Sequence, residues 1–227
     1  MALPAPLRIR DLSKTVPGGR VLFEGLDLDL SAGEVVAITG ESGAGKSSLL
    51  NLVAGLDAPD GGEIWIGGRA LSGLNETERT RLRREQLGFV FQAFHILPHL
   101  TLAQNTALPL VLAGVEGDTA LTRAAELLVA VGLGGREADF PSRLSGGELQ
   151  RTAIARALVH QPGLILADEP TGNLDPETAD RSLALLLDAA RSRGASVLLV
   201  THSVRAAEAA DRTLVLGRAG LRNRHGG

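Results

Sequence analysis

Between Gly40 and Ser48 the chain carries residue types spaced for holding phosphate. The run Gly40-Glu41-Ser42-Gly43-Ala44-Gly45-Lys46-Ser47-Ser48 contains the pattern G-x-x-x-x-G-K-[ST]. Glycines let successive N–H groups turn toward one anion without Cβ clashes, and a helix starting at Lys46 would aim its positive end at the same point. Lys46 would reach the β- and γ-phosphates of a nucleotide, and the Ser47 hydroxyl would ligate Mg²⁺. A second cluster closes the apolar run Leu164-Ile-Leu-Ala-Asp168-Glu169. An acid at such a strand end lies beside the phosphates, Asp168 serving the Mg²⁺ shell and Glu169 acting as general base or water-positioning group. Two solvated acids are the plain alternative. The phosphate loop in the same chain favours the functional reading.

The third cluster is Leu144-Ser145-Gly146-Gly147-Glu148. Ser145 and Glu148 have capping-box spacing, so a helix start accounts for them. It does not account for two glycines between them, which leave bare N–H groups as a second anion-binding surface. Two phosphate-binding helix ends far apart in one chain are reconciled if two copies meet head to tail, each closing the other's nucleotide. His202 follows the apolar run Val197–Val200, and the loop after a strand is where α/β sheets place ligand groups. Taken alone it is better read as a structural histidine. Asp175 before Pro176 makes a good N-cap with proline at the first helical position.

These residues need a scaffold, and its rhythm is readable. Val35–Ile38 is an apolar strand leading into the phosphate loop, with a helix after it. Before it, Leu7–Leu12 and Val21–Leu30 read as strands; Leu26, Leu28 and Leu30 alternate with Asp27 and Asp29 at the period of a half-buried sheet. A turn cluster at 57–62 precedes the strand Glu63–Ile66, Asn75 caps a charged helix to about Arg84, and Leu87–Phe91 is another strand. Between Gln92 and Ser145 strand signals vanish. Helical spacing runs through Leu102–Leu112, with Thr101 and Gln104 as a capping box, and through Leu121–Val131. From Ser145 the alternation resumes: helix Glu148–Val159, strand Leu164–Ala167, helix Pro176–Arg191, strand Ser196–Val200, a short helix after Ser203 and strand Thr213–Leu216. Arg218–Gly227 reads as a frayed tail. The expected fold is α/β: a mostly parallel sheet, an N-terminal antiparallel β subdomain and an inserted helical subdomain, all in one domain of residues 1–227. Residues 1–92 and 156–227 form its core, and about 93–155 the helical insertion.

Composition narrows the class. The chain has 227 residues, 44% of them hydrophobic, enough for a full core. A net charge of -3 gives no broad footprint for nucleic acid. Arg79, Arg81, Arg83 and Arg84 alternate with Glu76, Glu78 and Glu85 and read as a solvated helix face. The absence of cysteine excludes disulfides, thiolate metal sites and cysteine catalysis. The start MALPAPLRIRD lacks the apolar core of a secretory signal, and no apolar run is long enough to span a bilayer, so a cytoplasmic protein is expected.

Six stretches in this order resemble the ATP-binding cassette (ABC) ATPases, the nucleotide-binding subunits of ABC transporters. They are the phosphate loop, Gln92, the signature Ser145-Gly146-Gly147-Glu148, the acids Asp168 and Glu169, Asn173-Leu-Asp175, and His202. The resemblance covers nearly the whole chain and implies the P-loop NTPase fold, ATP hydrolysis with Mg²⁺, a second copy of the chain as partner, and a membrane permease that places the protein at the inner face of the membrane. It implies that Gln92 senses Mg²⁺ or the attacking water, that His202 bonds the γ-phosphate, that the signature contacts ATP held by the other copy, and that Asp175 acts across the dimer. Phe91-Gln92-x-Phe94, Pro98-x-Leu100-Thr101, Asn105 with Pro109-Leu110, and Ala167–Asp175 are similar to the subfamily of lipoprotein-releasing, macrolide-exporting and cell-division ATPases. That leaves three readings: a transport ATPase, an ATP-switched adaptor for division without transport, and a soluble ABC protein acting on ribosomes or DNA, the last weakened by the single cassette, the short insertions and the acidic balance. Phe94, Leu97 and Leu100 are core of the helical part or a docking surface for the permease. The family usually stacks an aromatic on adenine where this chain has Val16. Its absence predicts weaker or less base-selective binding unless Phe23 substitutes.

Overall fold

The computed structural model describes residues 4–223. In chain order the elements are β1 Leu7–Val16, β2 Arg20–Leu30, β3 Val35–Thr39, α1 Lys46–Val53, β4 Gly61–Ile66, β5 Arg69–Ala70, α2 Glu76–Gln86 and β6 Leu87–Phe91. After them come α3 Leu102–Leu112, α4 Gly117–Ala130, a 3₁₀ turn at Pro141–Arg143, α5 Gly146–Leu158, β7 Leu164–Asp168, α6 Pro176–Arg191, β8 Ser196–Val200, α7 Val204–Glu208, β9 Arg212–Gly217 and β10 Gly220–Asn223.

Two sheets result. The larger has the order β10-β9-β3-β8-β7-β6. Its five strands from β9 to β6 pair in parallel, and β10 adds an antiparallel edge. Strands β3, β7 and β8 are buried along nearly their whole length, the uninterrupted apolar pattern expected of a parallel sheet covered on both faces. The smaller sheet, β2-β1-β4-β5, is antiparallel. Between the sheets, Ile9, Phe23, Leu26, Ile38, Leu49 and Ile66 belong to one buried cluster around α1. On the other face of the large sheet, Ile154, Leu158, Ile165, Leu186 and Val197 form a second. Each such side chain contributes about 1.5–3 kcal/mol by leaving water.

From β6 to β7 the described chain is helical wherever it is regular. Helices α3, α4 and α5 pack on one another, and α5 also lies against β6 and α6. Gly88 of β6 makes that approach possible: a Cβ there would stand 2.3 Å from the Ala157 carbonyl.

Two expectations change. Residues 220–223 are a strand rather than a frayed tail, because Gly220, at φ +85, turns the chain back so that Leu221 pairs with Leu216; residues 224–227 lie outside the described part. The arginine face of α2 is more than solvated. Arg81 pairs with Glu85, but Arg83 donates to the Gly55 carbonyl at 3.0 Å and Arg84 to that of Leu112 at 2.6 Å, tying α2 to α1 and α3.

Candidate functional site

The parallel register aligns one edge of the large sheet. Phe91, Asp168 and Val200 are neighbours across β6, β7 and β8, and Ile38 of β3 pairs with Val200. Gln92, Glu169, Thr201 and Gly40 therefore leave the sheet side by side at its carboxyl edge, where open α/β sheets bind ligands.

After β3 the chain turns tightly. Gly40, at φ +148, has no room for a side chain, since its Cβ would lie 2.8 Å from the Leu216 carbonyl. Gly45 caps α1 in the left-handed region at φ +99, and a Cβ there would meet Leu22 at 3.1 Å and Phe23 at 3.3 Å. Lys46 is buried and folds its ammonium back over the loop, donating to the carbonyls of Gly40 and Glu41 at 2.9 Å each. The loop is thus held in shape by its own lysine.

Glu169 also sits in the left-handed region, at φ +47, a conformation that costs about 1–3 kcal/mol for a non-glycine residue. Its N–H bonds the Val200 carbonyl, and its Oε2 accepts the His202 N–H at 3.2 Å. His202 Nε2 lies 3.2 Å from Glu169 Oε1 without hydrogen-bond alignment, so Oε1 stays buried and unpartnered among the described residues. Gln92 donates from Nε2 to Asn173 Oδ1 at 3.1 Å, and Asn173 Nδ2 returns a bond to the Gln92 carbonyl at 2.9 Å.

A cleft of about 1000 Å³ gathers most of the expected residues: Val16, Ser42, Gly43, Gly45, Lys46, Ser47, Ser48, Gln92, Asp168, Glu169 and His202 all line it. Glu41 and Ala44 face an adjoining hollow, and Gly40 lies behind the loop. Among the described residues no group of three His, Cys, Asp or Glu side chains could hold a metal unaided. One carboxylate, one hydroxyl and one amide (Asp168, Ser47, Gln92) do share the cleft. That set suits Mg²⁺, which takes one or two carboxylates plus phosphate oxygens. The unpaired Glu169 Oε1 fits a partner that arrives with a ligand.

The signature residues lie elsewhere. Ser145, Gly146, Gly147, Glu148 and Asp175 line a second hollow, of about 450 Å³, with Arg151 and Arg181. Ser145 caps α5: its hydroxyl accepts the Glu148 N–H at 3.4 Å, and Glu148 Oε2 accepts the Ser145 N–H at 2.8 Å. The Ser145 N–H above all, then its hydroxyl and the Arg136 charge, hold the Glu148 carboxyl below its ordinary range. The Glu148 side chain is therefore committed to the cap and to Arg136, and any ligand here would meet backbone N–H groups. Asp175 caps α6 through the Thr178 N–H at 3.0 Å, and the Thr178 side chain is the main influence lowering its pKa. The two glycines also have a packing reason: a Cβ on Gly146 would lie 3.2 Å from Leu174 Cδ2, and one on Gly147 2.6 Å from Thr178 Cγ2.

One contact and two residues escaped the sequence reading. Asn173 is the partner of Gln92; Gly172 opens the space Gln92 occupies; Arg156 of α5 donates to the carbonyls of Phe94 and His95 at 2.6 Å each. Only the stretch Ala167–Asp175, with Asn173-Leu-Asp175 inside it, gave any signal, and it named no partner. Phe23 is wholly buried beneath Gly45 and cannot serve as a stacking ring. Leu97 is exposed and Phe94 and Leu100 half-buried, so these three are not part of the buried core.

A parallel sheet bearing a glycine-rich phosphate loop, two acids at a neighbouring strand end and a separate Ser-Gly-Gly helix start defines a nucleotide-binding cassette. The chain belongs to the ABC transporter family, whose model matches residues 23–172. It is 48% identical over 221 residues, 96% of this chain and 92% of the relative, to the lipoprotein-releasing system ATP-binding protein LolD of Xanthomonas campestris pv. campestris. The LolD protein of Xylella fastidiosa is 47% identical over 225 residues, 97% of this chain and 94% of that protein. Among solved structures, a dimeric post-hydrolysis state of the ATP-binding cassette MJ0796 bound to ADP and Pi superposes with a TM-score of 0.84 at 35% identity, covering 97% of this chain and all of that one.

Proposed function

We propose that this chain is the ATP-hydrolysing subunit of a lipoprotein-releasing transporter, working as a pair of copies around two Mg-ATP and driving a separate membrane permease. The observation that carries this is the meeting of Ser42, Gly43, Gly45–Ser48, Gln92, Asp168, Glu169 and His202 in one cleft, in a chain 47–48% identical to lipoprotein-releasing ATP-binding proteins over nearly its full length. The near-complete coverage favours lipoprotein release over a division adaptor.

In this reading the loop N–H groups and Lys46 cradle the phosphates, the lysine exchanging its two carbonyl partners for phosphate oxygens. Ser47, Asp168 and Gln92 would hold Mg²⁺, which would supply charge neutralisation to the phosphates. Glu169 takes the proton of the attacking water as the bond from the γ-phosphorus to ADP breaks. His202, tethered by its N–H to Glu169, donates to the γ-phosphate. Ser145, Gly146, Gly147 and Glu148 meet the nucleotide of the second copy through backbone N–H groups and the Ser145 hydroxyl, with Asp175 across the same interface. We assign residues 1–92 and 156–227 to one core and about 93–155 to a helical subdomain within a single domain. No described helix is long and apolar enough to cross a membrane. The permease then holds the protein at the cytoplasmic face, by a segment seated in the apolar groove that Phe89, Phe91, Leu108 and Leu112 line between α2, β6, α3 and α5.

The test uses tagged Glu169→Gln protein with Mg-ATP, captured from detergent-solubilised membranes of its own organism and then reconstituted with the captured partner. Co-elution of a permease only with ATP, and wild-type release of a lipoprotein from proteoliposomes on ATP hydrolysis, are expected. A permease that binds but releases no lipoprotein overturns the substrate assignment. Capture of ribosomal or DNA-bound proteins instead overturns the transport reading.

A further inference from the structure

The cleft has two distinguishable ends. Gln92, Glu169 and His202 follow β6, β7 and β8, on one side of β3. The hairpin of β1 and β2 lies on the other side, where β2 contacts β9 and β10 and the Glu24 N–H bonds the Arg218 carbonyl at 2.9 Å. A triphosphate whose terminal phosphate points to the acids must therefore place its base at the hairpin. Among the described residues no Phe, Tyr or Trp ring lines the cleft, and its one imidazole, His202, stands at the acid end. The chain has no tyrosine, Phe23 is buried under the phosphate loop, and Phe89 and Phe91 stack on each other at 5.6 Å beside a different groove.

One planar group does stand at that end. Val16 and Arg20 are cross-strand partners, joined by a tight turn in which Gly18 and Gly19 take φ of +96 and +79. Cross-strand partners face the same way, and both line the cleft. Arg20 Nη1 comes within 3.5 Å of where a Gly43 Cβ would be, so the guanidinium reaches back over the phosphate loop. Arg20 is exposed, and none of the ion pairs among the described residues involves it. A guanidinium is planar, weakly hydrated and stacks on π faces, as it does on unpaired nucleobases. We infer that Arg20 is the base-stacking residue of this site, its plane covering the nucleobase where Val16 supplies only an aliphatic wall. The inference rests on the nucleotide reading above and names the group that recognises the base.

Calorimetric titration of wild type, Arg20→Met, Arg20→Lys and the double variant Val16→Tyr/Arg20→Met, each with Mg-ATP and with inorganic tripolyphosphate plus Mg²⁺, tests it. Arg20→Met should weaken ATP about two- to thirtyfold, the range of a cation–π contact, and leave tripolyphosphate unchanged. Arg20→Lys keeps the charge and loses the plane, so it should resemble Arg20→Met. The added tyrosine should restore ATP affinity from the same face of the hairpin. Unchanged ATP binding in Arg20→Met, or full recovery in Arg20→Lys with a matching effect on tripolyphosphate, overturns the stacking role while leaving the nucleotide site intact. A wild-type chain that binds neither ligand overturns the functional reading itself.

Discussion

Glu169 and His202 meet twice: the His202 N–H donates to Glu169 Oε2, and the imidazole Nε2 stands 3.2 Å from Oε1. The backbone contact fixes the carboxylate without consuming Oε1, which remains buried and unpartnered among the described residues. A carboxylate positioned with one free oxygen is arranged to accept a proton.

Glu169→Gln keeps the shape and the Oε acceptor but removes the basicity. Hydrolysis should fall about 10²–10⁴-fold, the usual contribution of general-base catalysis. Nucleotide should still bind, so an ATP-dependent dimer should accumulate on size exclusion. Turnover near wild type would remove Glu169 from the chemistry.

Gly172 is the floor on which Gln92 rests. An added Cβ would lie 2.9 Å from Gln92 Nε2, the far end of a flexible side chain. Gly172→Ala should displace that side chain and break its bond to Asn173, with little cost to the fold. Turnover should drop several-fold at nearly unchanged ATP affinity, the net value of one hydrogen bond being about 0.5–1.5 kcal/mol. Paired turnover and titration measurements check the split, and a loss of affinity equal to the loss of turnover would contradict it.

Local signals made much of this legible. β6, α3, α6 and β8 fall on the residues the sequence reading gave them, because apolar periodicity, capping boxes and the Asp-Pro start are written within single turns. The capping boxes at Thr101 and Ser145 form, and the cap at Asn75 is a full capping box as well. Contacts between distant segments were not legible. Gln92 and Asn173 are joined across 81 residues, and Arg156 reaches 62 residues back to Phe94; no periodicity encodes either. β10 was missed because its polar residues, Arg222 and Asn223, need no buried face when a strand only adds an edge.

Arg156 carries a further consequence. Phe94 and His95 are consecutive non-glycine residues at φ +57 and +49, and the Arg156 guanidinium holds both carbonyls. Burial alone lowers its pKa, yet an arginine stays charged at neutral pH. Arg156→Ala should remove two charge-assisted bonds, each worth about 1.5–3 kcal/mol, and free the loop after Gln92. Hydrogen exchange of residues 93–97 should rise before global melting. Protection equal to wild type would show that the loop holds its shape unaided.

His160 gives the pH dependence a sign. Its Nε2 lies 2.9 Å from the Leu87 carbonyl, so the neutral ring carries its proton there and leaves Nδ1 buried without a partner. Burial pushes the imidazole pKa below its usual value near 6.5, against a smaller opposing effect of the Leu87 bond. The unfolded chain thus binds the proton more readily than the folded one. The stability this group contributes is fully present above pH about 6.5 and is lost as pH falls toward the folded pKa. His160→Gln keeps a donor to Leu87 and cannot titrate. Its melting temperature should fall less than that of wild type between pH 7 and 5.5, and parallel curves would show that His160 is not the titrating group.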